Sequence, residues 1–232
     1  MKKIALIQFR LKKEVLQHEL QNFLDKGNLK KNQLVTFNAI TNNLDNININ
    51  NYSGFILGGT GEYSITAKSN DIKKIKKNVS NLIKKIIKND KLSLMVCFGF
   101  QLLAEELKEN VVNNKKKSEV GTRKMFLTEE GKNDKLFSKI SSEFYSQTGH
   151  NDSILNLPTD CILLAYNNTC NIQSYRLKNN IYAVQFHPEH DKEDLLQRLE
   201  FYPDYKRDNL VLYDSKEATK IVKNFVDLCF SS

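Results

Sequence analysis

The sequence predicts an α/β protein: a doubly wound, mostly parallel central sheet with helices on both faces, plus a small antiparallel sheet in its second half. Three observations carry this. Short apolar runs at residues 3–9, 33–37, 53–57 and 92–96 lack polar alternation, as strands buried on both faces of a parallel sheet do. Amphipathic stretches of helical period lie among them. Past residue 118 the chain is richer in short extended runs, and these are separated by turn residues instead of helices.

Each element has its own reason. Residues 3–9 form a short apolar strand, and 12–24 place Val15, Leu16, Leu20, Phe23 and Leu24 on one side of a helix that Gly27 is expected to stop. A second strand is read at 33–37. The Asn-rich stretch 41–51 reads as a loop in which Leu44, Ile47 and Ile49 reach the core. Residues 53–57 run into Gly58, Gly59 and Gly61. Over 71–88 an apolar stripe from Ile72 to Ile87 opposes a solvated lysine face, a helix that covers the sheet. Leu92 to Val96 then leads through Cys97 and Gly99 into good helix formers at 101–107. In the second half, extended runs are read at 120–128, 143–148, 161–165, 171–177 and 181–186, with a hairpin turn at Asn179-Asn180. Helices at 192–202 and 215–229 close the chain. No repeat and no linker divides it, so residues 1–232 read as one domain.

Bulk properties exclude several classes. With 40% hydrophobic and 27% charged residues the chain has the composition of a soluble globular protein, and no apolar run approaches the ~20 residues of a membrane span. The first apolar run is too short for a signal peptide, so a cytoplasmic protein is expected. The net charge of +8 does not make a nucleic-acid binder. Only five of the 35 basic residues are Arg, and the lysines are scattered over helix surfaces. The four cysteines, Cys97, Cys161, Cys170 and Cys229, form no C-x-x-C pair, and no His stands at metal spacing. Neither a metal, a cofactor nor a disulfide framework is expected. Cys161 and Cys229 lie in apolar runs and read as core residues.

Three strand ends carry chemistry. Cys97 stands where a buried strand turns sharply into a helix, an arrangement that projects a nucleophile at a helix N-terminus, where free N–H groups favour negative charge on sulfur. A buried structural thiol fits that stretch alone equally well. Gly58-Gly59-Thr60-Gly61 lets backbone N–H groups face a ligand as a phosphate cradle or an oxyanion hole. It lacks the Lys-Ser/Thr of a phosphate loop, and a plain tight turn also fits. His187-Pro188-Glu189 follows the strand 181–186, and its carboxylate can orient the imidazole toward a thiol. In a parallel sheet all three lie at the ligand-binding edge.

Together, Cys97-Phe98-Gly99-Phe100-Gln101, the Gly58-Gly59 strand end and, 90 positions past the cysteine, His187-Pro188-Glu189 behind Val184-Gln185-Phe186 resemble the class I, triad-type glutamine amidotransferases. The segments at 127–131 and 136–137, His150-Asn151-Asp152, and Leu157-Pro158 before 161–165 are similar too. The likeness is strongest to the amidotransferase domain of GMP synthetase and its free-standing relatives. It implies a flavodoxin-like fold. It also implies Cys97 as nucleophile, His187 as base and acid, and Glu189 as orienting carboxylate. Backbone N–H groups of Gly59 and Phe98 would bind the oxyanion, with Gly58, Gln101, Asn151 and Asp152 near the substrate L-glutamine.

The chain contains no ATP-pyrophosphatase loop. The resemblance therefore implies ammonia delivery to a separate ATP-dependent synthase subunit. Its alternatives are γ-glutamyl hydrolysis by the same triad, or a non-catalytic regulatory subunit. Two positions depart from the family pattern. Met95 stands where a glycine is usual, which predicts altered packing or strain under the elbow, and Thr60 replaces proline or serine. Arg10, His18 and Glu19 follow the first strand and are expected to be solvated.

Overall fold

A computed structural model describes residues 2–206 and 210–231. The chain opens with β1 (Ile4–Gln8), α1 (Lys13–Gly27), β2 (Leu34–Asn38) and β3 (Gly54–Leu57). Next come α2 (Asn70–Lys88), β4 (Ser93–Val96) and α3 (Phe98–Glu106). The second half comprises β5 (Val111–Asn113), β6 (Glu119–Leu127), α4 (Glu129–Lys132), β7 (Glu143–His150), β8 (Asp152–Ile154), β9 (Cys161–Tyr166), β10 (Ser174–Leu177) and β11 (Ile181–Val184). Helices α5 (Lys192–Phe201) and α6 (Lys216–Ser231) complete it.

Nine strands form one sheet in the order β2-β1-β3-β4-β11-β10-β9-β6-β7. The pairings from β2 through to β11 are parallel, with Leu57 opposite Met95 and Val96 opposite Val184. Beyond β11 the pairings are antiparallel. The small separate antiparallel sheet is the ribbon β5-β8.

Strand alternation sorts the core into two layers. Ala5, Ile7, Phe55, Leu57, Met95 and Ala183 share a cluster with the apolar stripe of α2 and with Phe98, Phe100 and Leu103 of α3. Ile4, Leu6, Ile56, Leu94, Val96 and Val184 share the other with Phe23 of α1 and Ile221, Val222 and Phe225 of α6. Each large side chain buried in this way contributes about 1.5–3 kcal/mol. The stripe read at 72–87 starts where expected, because the Ser69 hydroxyl caps α2 by accepting from the Ile72 N–H at 3.3 Å. Gly99 fixes how closely α3 approaches β3: a Cβ there would stand 2.5 Å from the Leu57 carbonyl oxygen. Among the described residues no helix is long and apolar enough to cross a membrane.

Three local expectations change. Helix α1 runs through Gly27, and the left-handed residue that ends it is Asn28 at φ 51°, whose short polar side chain tolerates that region. The loop 41–51 contains two short 3₁₀ turns, capped by Asn43 and Asn48, and Leu44, Ile47 and Ile49 are buried as read. Glu130-Gly131 is not a simple turn but part of α4, capped by the Thr128 hydroxyl. Met95 produces no visible disruption. It is fully buried in the α2–α3 layer, and the Cys97 N–H still donates to the Val184 carbonyl at 2.8 Å.

Candidate active site

The parallel order β3-β4-β11 brings three adjacent strand ends to one edge, and each delivers one part of the site. From β4 the chain enters α3 through Cys97, which has φ 51° and ψ −94°. A non-glycine residue in that region costs on the order of 1–3 kcal/mol and persists only where its surroundings impose it. Here the Cys97 N–H bonds to β11 and the Gly99 N–H bonds to the Gly58 carbonyl at 3.2 Å, so the turn is tied on both sides. Phe98 is the first residue of α3, where a helix leaves N–H groups unused by its own ladder.

From β3 comes Gly59. A Cβ at this position would lie 2.9 Å from His187 Cε1 and 3.5 Å from Cys97 Cβ, so only a glycine lets the backbone run alongside both side chains. From β11 comes His187, held by its own N–H to the Gln147 carbonyl at 2.8 Å. Its Nδ1 meets Glu189 Oε1 at 2.7 Å in a buried pair. Burial works against charge on this ring, but the Glu189 carboxylate and the Cys97 sulfur outweigh it and push the His187 pKa up to about 10. Burial likewise opposes charge on Glu189, and His187 prevails, holding that carboxyl below its usual range.

A cleft lined by Thr60, Tyr63, Cys97, Phe98, Gln101 and Asn151 opens beside the sulfur. Gln101 is buried and donates from Nε2 to the Asp152 carbonyl at 3.1 Å and to Gln185 Oε1 at 3.3 Å. It therefore holds the 150–152 segment against α3. The Asp152 carboxylate faces the protein: it accepts from the Ser64 hydroxyl, the Ile65 N–H, the Thr66 hydroxyl and Asn113 Nδ2. Asn151 Oδ1 accepts from the Ser118 hydroxyl at 2.7 Å. Gly58 lies against Glu19, to whose Oε1 a Cβ at that glycine would come within 2.8 Å.

Arg10, His18 and Glu19 are buried, contrary to their expected solvation. Arg10 Nε and Nη2 donate to Glu19 Oε1 at 3.2 and 3.0 Å, and Gln8 Nε2 donates to Glu19 Oε2 at 3.2 Å. The ion pair braces the glycine loop from behind. Cys161, also read as core, is only partly buried, whereas Cys229 is fully enclosed.

Two further groups lie outside the site residues read from the sequence, although His150 stands in the segment similar to the family. Glu119 is fully buried and accepts from Asn167 Nδ2 at 2.9 Å and Gln173 Nε2 at 2.6 Å, with His150 Nε2 at 3.1 Å. Burial opposes its charge, yet these partners hold it below the usual carboxylate range. Glu119, His150 and Cys170 place one ligand atom each within 4.8 Å of one another, but the first two already engage those atoms internally. The second group stands behind His187. The His190 ring stacks on His187 at 4.9 Å, and Arg198 Nη2 lies 3.4 Å from His190 Nε2. Helical spacing does signal Arg198, since Leu195, Arg198 and Leu199 form one buried stripe of α5.

Comparison with known proteins bears on the family and the fold. The sequence shares 34% identity over 103 residues with one subunit of the glutamine-hydrolyzing GMP synthase of Methanococcus aeolicus, covering 44% of this chain and 53% of that one. With the same subunit from Thermoplasma acidophilum it shares 28% over 193 residues, covering 83% and 80%. Gamma-glutamyl peptidase 4 of Arabidopsis thaliana is 25% identical over 153 residues, 64% of this chain and 59% of that one. Among solved structures, a glutamine amidotransferase from Thermotoga maritima superposes with a TM-score of 0.77 at 17% identity, covering 100% and 99% of the two chains. The family description "Glutamine amidotransferase class-I" matches residues 18–201, and the chain belongs to that family.

Proposed function

We propose that the chain, acting as one amidotransferase domain over residues 1–232, hydrolyses the side-chain amide of L-glutamine and passes the ammonia to an acceptor on a separate partner chain. The observation that carries this reading is the meeting of Cys97, in its left-handed elbow, with the His187–Glu189 pair and the Gly59 backbone across three neighbouring strand ends. The Cys97 thiolate attacks the amide carbon. The N–H groups of Gly59 and Phe98 receive the oxyanion, each such donor contributing on the order of 3 kcal/mol in the transition state. His187, oriented by Glu189, protonates the departing ammonia, and water hydrolyses the γ-glutamyl thioester. Gly58 and Gln101 shape the cleft, and Asn151 and Asp152 act there through the segment they stabilise rather than through free side chains. The relatives that are each one subunit of a GMP synthase support a partner that consumes the ammonia.

Cys97→Ala is expected to abolish glutamate release from glutamine, and a diazo-oxonorleucine probe is expected to label Cys97 in the unaltered protein. Glutamate release that survives the substitution refutes the reading. Absence of labelling with and without partner candidates points instead to a non-catalytic role.

A further inference from the structure

We infer that Arg198 is a positioning residue for the amide chemistry: its guanidinium holds the neighbouring His190 neutral, with the proton on Nδ1, so that Glu189 serves His187 alone. The inference deepens the amide-hydrolysis reading above and rests on it. Glu189 Oε1 meets His187 Nδ1 at 2.7 Å, and the same oxygen lies 3.6 Å from His190 Nε2. Two imidazoles therefore face one carboxylate oxygen, and they stack at 4.9 Å with an interplanar angle of 13°. A proton on His190 Nε2 would make that nitrogen a second donor to Oε1 and weaken the hold on His187. Arg198 engages the nitrogen from the other side, with Nη2 at 3.4 Å from His190 Nε2. A guanidinium only donates, so Nε2 is the acceptor and the proton of the neutral ring sits on Nδ1.

Among the described residues, the groups packed on His190 are Glu189 and His187 from its own turn, Arg198 from α5, His18 from α1 and Arg10 from the β1–α1 connection. Glu189 favours charge on the ring, and the rest oppose it. Burial, then Arg198, then His187 hold His190 well below the ordinary histidine value. Of the opposing charges Arg10 is already paired with Glu19, and His187 is the imidazolium that the reaction uses. His18, whose ring centroid lies 5.9 Å from that of His190, is itself pushed down to about 4, by burial first and the Arg198 charge second. One guanidinium thus keeps both histidines behind the triad neutral. Its own charge persists at neutral pH, because its pKa is lowered only to about 10. The helix delivers it. Asp191, directly after His190, caps α5 by accepting from the Glu193 and Asp194 N–H groups, and Lys26 of α1 ties down both Asp191 and Asp194. Arg198 follows Asp194 by one turn, on the same face.

The test is a pH profile of glutamine hydrolysis. In the unaltered protein His18 and His190 are neutral, Glu189 lies below its usual range and His187 is raised to about 10, so kcat should vary less than about twofold between about pH 5 and 8. In Arg198→Met, His190 takes a proton as pH falls through the ordinary histidine value of about 6.5, and kcat should drop about tenfold by about pH 5.5 while KM stays within about twofold. Arg198→Lys, which keeps a donor and the charge, should restore most of the flat profile. His190→Phe added to Arg198→Met should do the same, since phenylalanine stacks on His187 and takes no proton. An arginine with a structural role alone would lower kcat evenly across the range. Side-chain nitrogen NMR on the Cys97→Ala protein reads His190 without turnover and without an altered arginine having to fold: a neutral ring protonated on Nδ1 is expected at about pH 6. A flat profile in Arg198→Met, or a proton on His190 Nε2 with Arg198 intact, overturns the inference and leaves glutamine hydrolysis standing. If the unaltered protein releases no glutamate, the reading beneath fails instead, and the NMR result alone decides the state of His190.

Discussion

The two flanks of the Cys97–His187 axis use their buried polar groups differently. On the cleft side, Asp152 has four internal donors, Gln101 ties α3 to the 150–152 segment, and Glu119 is surrounded by Asn167, Gln173 and His150. On the far side, Arg198 Nε and Nη1 and His190 Nδ1 are buried without partners among the described residues. A satisfied network rigidifies a segment, whereas a half-satisfied one destabilises the protein unless something else completes it. The satisfied carboxylates hold the site's shape, whereas the unpartnered Arg198 nitrogens carry a cost that the fold does not offset; on the cleft side Gln173 Oε1 and Gln185 Nε2 also lack partners among the described residues.

The largest effect should come from breaking the satisfied side. Glu119→Ala leaves the donors of Asn167 and Gln173 buried and unpaired and removes the partner of His150, at a cost of about 3–5 kcal/mol. The urea midpoint measures it. A loss under ~1 kcal/mol would show that the network is not structural, and the contrast between the flanks would collapse.

Between the flanks stands the His187–Glu189 pair, whose signature is a pH profile. The His187 pKa is raised to about 10 because Glu189 and Cys97 outweigh burial. The imidazolium that protonates the leaving nitrogen therefore persists through neutral pH, and the rate should fall only as pH rises through about 10. Glu189→Gln removes the Glu189 charge, the largest single raising influence, and leaves only Cys97 to oppose burial. The alkaline limb should then move acidward by about 1–3 units. Stability follows the same sign. A raised His pKa contributes fully below the unfolded value of 6.5 and is lost as pH rises toward 10. The lowered Glu189 pKa contributes above 4.5 and is lost as pH falls through its folded value. The pair is thus most stabilising between about 4.5 and 6.5, a window that urea titrations at several pH values should find in the unaltered protein and not in Glu189→Gln.

How much of this was legible follows the same division. The parallel half was readable because β1, β3, β4 and α2 are continuous apolar runs or stripes whose period alone assigns them. The elbow was readable because Cys97, Gly99 and Gln101 are tied to one strand–helix turn. The small antiparallel sheet is expected from the sequence, but its strands β5 and β8 are not located there: each has three residues, and their pairing spans about 40 positions of chain. Arg10 and Glu19, which the sequence places in solvent, are buried. Their burial depends on an ion pair closed across the β1–α1 connection behind Gly58, which neither residue announces by itself. Arg198 shares a stripe with Leu195 and Leu199 and so carried a signal, but a charged residue on such a stripe is ordinarily assigned to the rim.

The smallest effect expected is on the stability of Arg198→Met, and it is the sharpest test of the contrast. An arginine that served the fold would leave a gap and lost partners, costing 3 kcal/mol or more in the range of about 3–5 for broken buried pairs. An arginine kept for its charge already carries the penalty of its buried, unpartnered nitrogens, and burial with the nearby Arg10 charge pushes its pKa down to about 10. Methionine fills a similar volume between Leu195 and Leu199 without that burden. The variant should therefore unfold within about 1 kcal/mol of the unaltered protein, or be more stable, in the trade of stability for function common at active sites. A midpoint that falls as far as that of Glu119→Ala would place Arg198 among the structural groups and erase the distinction between the two flanks.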